Sequence, residues 1–297
     1  MLLKDFLKEG VKRLEPLYPA QEARSILDLL CESRLGTSRL THILEPEFAV
    51  KEKLMPKLTE DIDALASGKP IQYVLGYSEF FGRRFAVSQD VLIPRPETEL
   101  LCEEAIKTAS RLQRARQAYG DADPGRILDL CTGSGCIAWT MALEGPGADV
   151  IGVDISEKAL SVALGQDFKA EIRQKKAKAP SFMIADALGE PLSFGALKFD
   201  IILSNPPYIL ASQKKDMRRN VLEHEPHLAL FVPDDDPLLF YRAIARWSKA
   251  LLSEKGVGIV EINEDLGPQT RQVFLDSGFD NAALLKDFSG KHRFISY

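Results

Sequence analysis

Arg126-Ile127-Leu128-Asp129-Leu130-Cys131-Thr132-Gly133-Ser134-Gly135-Cys136-Ile137-Ala138 is the stretch that decides the fold. Its first five residues read as an apolar strand, Gly133 and Gly135 make a turn, and a helix begins near Cys136. Glycines in such a turn take up positive φ and let the backbone come close to a ligand. The stretch is not Gly-x-Gly-x-x-Gly, because position 138 is alanine, and no phosphate-cradling Lys-Ser/Thr pair follows. Alone it suits an ordinary strand-to-helix turn as well as a binding loop.

The neighbouring runs narrow the choice. Val150-Ile151-Gly152-Val153-Asp154 ends in an acid about twenty residues after the glycines, the spacing at which a carboxylate holds ribose hydroxyls. Asp154 or Ser156 would serve equally as a helix N-cap. A third run, Ser181-Phe182-Met183-Ile184-Ala185, ends in Asp186, an acceptor for the amino group of an adenine. A fourth, Phe199-Asp200-Ile201-Ile202-Leu203-Ser204, reads as a buried strand of a parallel sheet and runs into Asn205-Pro206-Pro207-Tyr208. Each proline pushes the residue before it toward extended backbone, and neither has an N–H, so the stretch cannot close into a helical turn. The carbonyls of Asn205 and Pro206 and the Asn205 amide oxygen then become acceptors for a planar NH2 group, with Tyr208 as a flat aromatic surface beside it. A tight turn after a core strand is the plainer reading. An acceptor, two prolines and an aromatic at the carboxyl end of a strand form a much narrower pattern, at the end where open α/β sheets bind ligands. The four strand ends are expected to form one crevice.

Asp129-Leu130-Cys131-Thr132-Gly133-Ser134-Gly135, Asp154, Asp186 and the Asn-Pro-Pro-Tyr stretch resemble class I S-adenosylmethionine-dependent methyltransferases that methylate planar amide or amino nitrogens. A more specific match lies upstream, in Gly68-Lys69-Pro70-Ile71-Gln72-Tyr73-Val74-Leu75-Gly76, Phe80-Phe81-Gly82 and Val91-Leu92-Ile93-Pro94-Arg95-Pro96-Glu97-Thr98-Glu99. With the tail Lys286-Asp287-Phe288-Ser289-Gly290-Lys291-His292-Arg293-Phe294, these segments resemble the bacterial release factor glutamine methyltransferases, the HemK/PrmC family. The resemblance implies transfer of a methyl group from S-adenosylmethionine to the side-chain nitrogen (N5) of the glutamine in the Gly-Gly-Gln motif of peptide chain release factors. It implies cofactor binding by Cys131, Thr132, Gly133, Ser134, Gly135, Asp154, Asp186, Ala187 and Asn205. Asn205, Pro206, Pro207 and Tyr208 would hold the substrate, with Asn205, Pro206 and Tyr208 catalytic. Two positions depart from the family pattern. Cys131 stands where glycine is frequent, and Ala187 stands where a larger apolar or aromatic residue would pack on the adenine. Cys-Thr-Gly-Ser-Gly-Cys also suits a sister family acting on a glutamine of a ribosomal protein, whereas Ile-Pro-Arg-Pro-Glu-Thr-Glu favours the release factor branch.

The whole chain sets bounds. Its 297 residues exceed the usual single domain, and 45% hydrophobic residues are enough for sizeable cores. The fold expected is α/β. A small N-terminal helical domain (residues 1–67), which reads either as a packing cap on the sheet domain or, as the resemblance implies, as a docking surface for a protein substrate, and a connecting β-hairpin (68–95), turning at Gly82-Arg83-Arg84, precede a class I Rossmann-like methyltransferase domain (96–297). Within the last, residues 120–125 read as a loop. The charged run Gln213–Asn220 reads either as solvated surface or as a mobile rim over the substrate. A net charge of −5, from 38 basic and 43 acidic residues, argues against broad nucleic-acid binding and so against the rival reading as an adenine-N6 or guanine-N2 nucleic-acid methyltransferase. A nucleotide-binding regulator without catalysis is a second rival, and it would need no Asn205 constellation. No signal-like segment or membrane-length apolar run is present, and the four cysteines form no Cys-x-x-Cys pair, which suits a reduced cytoplasmic setting. His224 and His227, among Glu223 and Glu225, lack metal-ligand spacing, so no metal is expected. The protein is expected to be a monomer.

Overall fold

The computed structural model describes residues 1–120, 123 and 125–297. Asp121, Ala122 and Pro124, in the expected loop at 120–125, lie outside the described residues. The chain divides into two compact units, Met1–Tyr77 with Met217–His224, and Ser78–Asp216 with Glu225–Tyr297.

The first unit is helical, with its longer helices at Leu3–Leu14, Ala20–Leu35 and Met55–Ala66 and a short one at Ile71–Leu75. Gly36 and Gly76, at φ +68° and +83°, end two of them in the left-handed conformation that glycine adopts without strain. Phe6, Leu7 and Leu14 meet Leu27, Leu30, Leu58 and Leu65 in one core. Gly10 is bare because Leu27 fills its place: a Cβ there would stand 2.7 Å from Leu27 Cδ1. The unit runs past residue 67 because Ile71 is part of this core and Arg34 donates to the Val74 carbonyl at 2.9 Å. The charged run of 213–220 is split between the units. A 3-10 stretch, Ala211–Asp216, ends the first part. Met217–His224 then joins the helical unit, where Arg218 Nη1 reaches Glu22 Oε1 at 2.5 Å.

In the second unit, β1 (Tyr77–Phe80) and β2 (Arg83–Ala86) form the hairpin. Its turn is Phe81-Gly82, at φ +50° and +72°, the positive pair a two-residue hairpin turn requires. Arg83 is therefore not a turn residue. It opens β2 and makes ion pairs with Glu144 and Glu171. Further strands are β3 (Arg126–Leu130), β4 (Asp149–Asp154), β5 (Ser181–Ile184), β6 (Phe199–Ser204), β7 (Ile209–Leu210), β8 (Phe231–Val232), β9 (Leu252–Glu261), β10 (Ala283–Lys286) and β11 (His292–Ser296). Seven of them make one sheet, in the order β10-β11-β9-β6-β3-β4-β5, while β7 and β8 pair separately. The strands from β9 to β5 are parallel, and β11 runs against both its neighbours. This is the doubly wound sheet with crossover helices that the alternating pattern implies.

Alternate strand residues feed two apolar layers. Ile127, Ile201 and Leu203 pack with Leu101, Ala105, Ile137 and Met141 of helices Pro96–Ala118 and Cys136–Glu144. Leu128, Leu130 and Ile202 pack with Tyr241, Ile244 and Trp247 of Leu239–Leu251 and with Phe274 of Gly267–Asp276. Among the described residues no helix is long and apolar enough to cross a membrane.

Tyr297 closes the second layer. It exchanges two backbone hydrogen bonds with Gly258, at 2.8 and 3.0 Å, stacks on Phe274 with ring centroids 4.0 Å apart, and shares a 2.7 Å hydroxyl contact with Ser248. A Cβ on Gly258 would stand 2.0 Å from the Tyr297 ring. Gly258→Ala must therefore displace that ring, and we expect a loss of about 2 kcal/mol or more in urea unfolding, as for other overpacked core sites. An unchanged midpoint would contradict this packing.

Candidate active site

The chain runs from β3 outward to β4 and β5, then returns to place β6 on the other side of β3. The carboxyl ends of β3 and β6 thus flank the switch point at which such sheets open a crevice. The glycine turn leaves β3 here, and Asn205 leaves β6.

The turn is held by carboxylates. Asp129, fully buried, accepts from Thr132 Oγ1 at 2.5 Å and from the Ala138 N–H at 3.1 Å, joining the turn to the helix it precedes. Asp154 accepts from Gly133 N at 2.8 Å and Ser156 N at 3.0 Å. Ser156 is the N-cap of helix Glu157–Leu164, through Ala159 N, so the two readings of Asp154 and Ser156 separate: the serine caps and the aspartate pins the glycine turn. Burial raises the Asp154 pKa against the pull of those N–H groups. Gly133 and Gly135 have φ of +54° and +77°, and Cys131 adopts +62° without being glycine, a conformation that carries local strain. Gly152 must be bare, because a Cβ would meet the Phe182 ring and Thr132 Oγ1 within 2.6–2.8 Å.

A cleft of about 190 Å³ opens over these strand ends. Of the residues singled out in the sequence, Cys131, Gly133, Asp154, Asp186, Ala187, Asn205 and Pro207 line it. Thr132 and Ser134 lie buried, each 3% exposed, and Gly135 is the N-cap of the helix from Cys136. Pro206 is buried as well, and neither it nor Tyr208 is among the lining residues. Apolar walls come from Val91, Leu92, Ile155 and Leu228. Asp186 has one oxygen engaged by Leu188 N at 2.8 Å.

Three contacts that frame the cleft have no local signature in the sequence. Glu225, 4% exposed, accepts from Ile93 N at 3.2 Å and Arg95 Nη2 at 2.7 Å, tying the wall that holds Val91 to the one that holds Leu228. Gln166 bonds Ala86 N and O at 2.8 and 3.0 Å and the Ser134 carbonyl at 3.1 Å, strapping the hairpin to the glycine turn. Glu261, 1% exposed at the end of β9, organises the Asn-Pro-Pro-Tyr turn. Its Oε2 accepts from Thr98 Oγ1 at 2.7 Å, and its Oε1 accepts from the Tyr208 hydroxyl at 3.0 Å. Asn205 Nδ2 donates to Thr98 Oγ1 at 3.0 Å, and Asn263 Nδ2 donates to the Tyr208 carbonyl at 3.1 Å. Burial raises the pKa of Glu261 and, with the adjoining carboxylate, lifts that of Tyr208 well above the ordinary phenol. Tyr208 therefore differs from the open aromatic plate expected from the sequence: its hydroxyl is spent inward on Glu261, and its ring packs partly on the second apolar layer.

Residues 122–241 match a family described as a methyltransferase domain, and residues 5–76 match the PrmC N-terminal domain. A Flavobacterium psychrophilum protein named release factor glutamine methyltransferase is 36% identical over 295 residues, covering 99% of this chain and 98% of its own. A Bacteroides thetaiotaomicron protein of the same name is 35% identical over 285 residues, 95% of each chain. A solved protein-(glutamine-N5) methyltransferase (release factor-specific) from Alicyclobacillus acidocaldarius is 28% identical and covers 71% of this chain and 97% of that one. The TM-score between the two is 0.39.

Asp129 makes the site's stability depend on pH. Burial pushes its carboxyl up to about 7, against hydrogen bonds from Thr132 and Ala138, while an ordinary carboxyl of this type titrates near 3.8. Between those values the folded chain holds a proton that the unfolded chain has released. Stability from this group is therefore greatest below the lower value, falls as pH rises to about 7, and is level above it. Urea unfolding of Asp129→Asn should show a flatter pH dependence than the parent between about pH 4 and 7. An identical slope would contradict the assignment.

Proposed function

The chain belongs to the family of release factor glutamine methyltransferases, and we propose that it methylates the side-chain nitrogen (N5) of the glutamine in the Gly-Gly-Gln motif of a peptide chain release factor, using S-adenosylmethionine. The observation that carries the reading is the place of Asn205, on the strand end beside the glycine turn and in the same cleft as Asp154 and Asp186.

The donor set suits S-adenosylmethionine. Asp154 is held by two backbone N–H groups and keeps lone pairs for vicinal ribose hydroxyls. Asp186 retains an oxygen for an amino group, and Ile155, Ala187 and Leu228 offer apolar surface to a purine. A Cβ on Gly133 would meet nothing within 4 Å, so the backbone there is open to close approach. When bound, the cofactor supplies a methyl group already activated on a sulfonium.

The remaining task falls to the protein. An amide nitrogen is a poor nucleophile because its lone pair is delocalised into the carbonyl, so placing it in line is the main contribution. Asn205 Oδ1 has no hydrogen-bond partner among the described residues, and with the Pro206 carbonyl it accepts the two N–H bonds of the glutamine amide. Pro207 and the edge of Tyr208 pack on the glutamine side chain. These fixed dipoles act in a site of low dielectric, where they are worth more than in water. The extra proton leaves after methyl transfer, so the step requires no titrating base in advance. The helical unit serves as a docking surface for the folded factor, and the protein acts as a cytoplasmic monomer without binding nucleic acid.

Two variants separate donor from acceptor. Asp154→Ala should weaken S-adenosylmethionine binding by about 1–3 kcal/mol in calorimetric titration, the range for hydrogen bonds to a charged group. An unchanged dissociation constant would move the ribose contact elsewhere. Asn205→Ala should keep cofactor affinity and lose roughly 10²-fold in turnover. Full activity of that variant would sink the site. For the acceptor, labelled methyl transfer should reach an intact release factor and leave ribosomal protein and double-stranded DNA unlabelled. The reverse pattern would overturn the proposal.

A further inference from the structure

We infer that Thr98 and Glu261 are positioning residues that fix which way round the Asn205 amide sits, and so make Asn205 an acceptor, never a donor, toward the substrate nitrogen. The inference rests on the function proposed above and deepens it.

An asparagine side chain has an accepting end and a donating end of nearly the same shape, and its last torsion is soft. Turning it over would change no packing but would reverse its chemistry. A site for a substrate NH2 group needs the oxygen outward, because the reversed amide would set two NH2 groups against each other. Something must therefore choose the orientation, and the hydrogen count around Thr98 does so. Ionised Glu261 has no hydrogen to give, so in that state the 2.7 Å contact takes the single hydroxyl hydrogen of Thr98. Thr98 Oγ1 is then left with lone pairs alone. The Asn205 atom 3.0 Å away must be the NH2 group, and Oδ1 is kept for the substrate. The other carboxylate oxygen takes the Tyr208 hydrogen, so one side chain sets both ends of the turn.

Burial makes the choice firm. Thr98 and Glu261 are 2% and 1% exposed, so water does not compete for these hydrogen bonds. Neither residue lines the cleft. They act through Asn205 and Tyr208. Thr98 sits in the first turn of helix Pro96–Ala118, inside the Ile-Pro-Arg-Pro-Glu-Thr-Glu stretch, and Glu261 ends the strand beside β6. Glu261→Gln keeps the shape of the side chain but gives it hydrogens. With its NH2 toward Thr98, the threonine hydroxyl turns to Asn205 Oδ1 and the amide reverses.

The test compares the parent with Thr98→Val, Thr98→Ser and Glu261→Gln, measuring methylation kinetics on an intact release factor and S-adenosylmethionine affinity. Thr98→Val and Glu261→Gln should lose kcat by about tenfold or more, with KM for the factor and cofactor affinity within about twofold, the pattern of an interaction that matters in the transition state. Thr98→Ser keeps the hydroxyl and should stay within about threefold of the parent. Parental kcat in Thr98→Val, or equal losses in Thr98→Ser and Thr98→Val, would overturn the inference. A second readout needs no acceptor. In protein labelled with 15N-asparagine, the Asn205 side-chain NH2 signal, assigned by its loss in Asn205→Ala, should shift and exchange faster in Thr98→Val. An unmoved signal would overturn the orientation argument. If the parent methylates no release factor, the proposed function falls, while this resonance still decides whether Thr98 orients Asn205.

Discussion

The register of β6 is the constraint on which the rest depends. Ser204 pairs with Leu130 on one side and Val260 on the other, and its hydroxyl donates to the Leu130 carbonyl at 2.7 Å. That register sets Asn205 level with the start of the glycine turn and beside Glu261. It also sends Ile201 and Leu203 into one apolar layer and Ile202 into the other. A slip of one residue would exchange the layers and carry Asn205 away from Thr98, so the core that stabilises the sheet also aligns the site.

Buried acids do the positioning around that strand end. Asp129 and Asp154 hold the glycine turn, Glu225 joins two walls of the cleft, and Glu261 holds the Asn-Pro-Pro-Tyr turn. Burying a carboxylate is costly unless its oxygens are engaged: Asp154, Glu225 and Glu261 each accept on both oxygens, whereas Asp129 accepts twice on Oδ2 and leaves Oδ1 without a partner, in keeping with a carboxyl pushed up to about 7. What they contribute is orientation. A backbone turn or an amide has several arrangements of similar packing energy, and a carboxylate that only accepts removes most of them. Much of the chain's acidity near the cleft is thus committed to internal contacts, leaving Asp186 and the spare lone pairs of Asp154 toward the open space.

What was legible in the sequence was local. The strand that ends at Leu130, the turn at Gly133 and Gly135, Asp154 at a strand end and Asn205 after a buried run all follow from period, glycine and proline, and they stand where those signals put them. The rest depends on residues far apart in the chain. Thr98 and Glu261 are 163 positions apart, Arg95 and Glu225 130, and Gln166 and Ala86 80, and no spacing rule reaches that distance. Tyr208 looked like an open plate because its partner lies 53 residues away on another strand. The run around Arg218 reads as solvated surface or as a rim; Arg218 is indeed exposed, and only its ion pair with Glu22, 196 residues earlier, lies beyond the reach of any local signal. The hairpin turn falls at Phe81-Gly82, ahead of Arg83, because Arg83 has two carboxylate partners in the sheet unit.

We propose that the site recognises an amide by giving it acceptors alone. The most direct measurement is a single-turnover reaction with S-adenosylmethionine and a purified release factor carrying Gly-Gly-Gln, run beside the same factor carrying Gly-Gly-Glu, with the product located by fragmentation mass spectrometry. The account predicts one methyl group on the glutamine side-chain nitrogen and none on the glutamate. A carboxylate has no N–H to offer and would face the oxygens of Asn205 and Pro206 with like charge. Methylation of the glutamate, or of another residue while the glutamine stays unmodified, would contradict it.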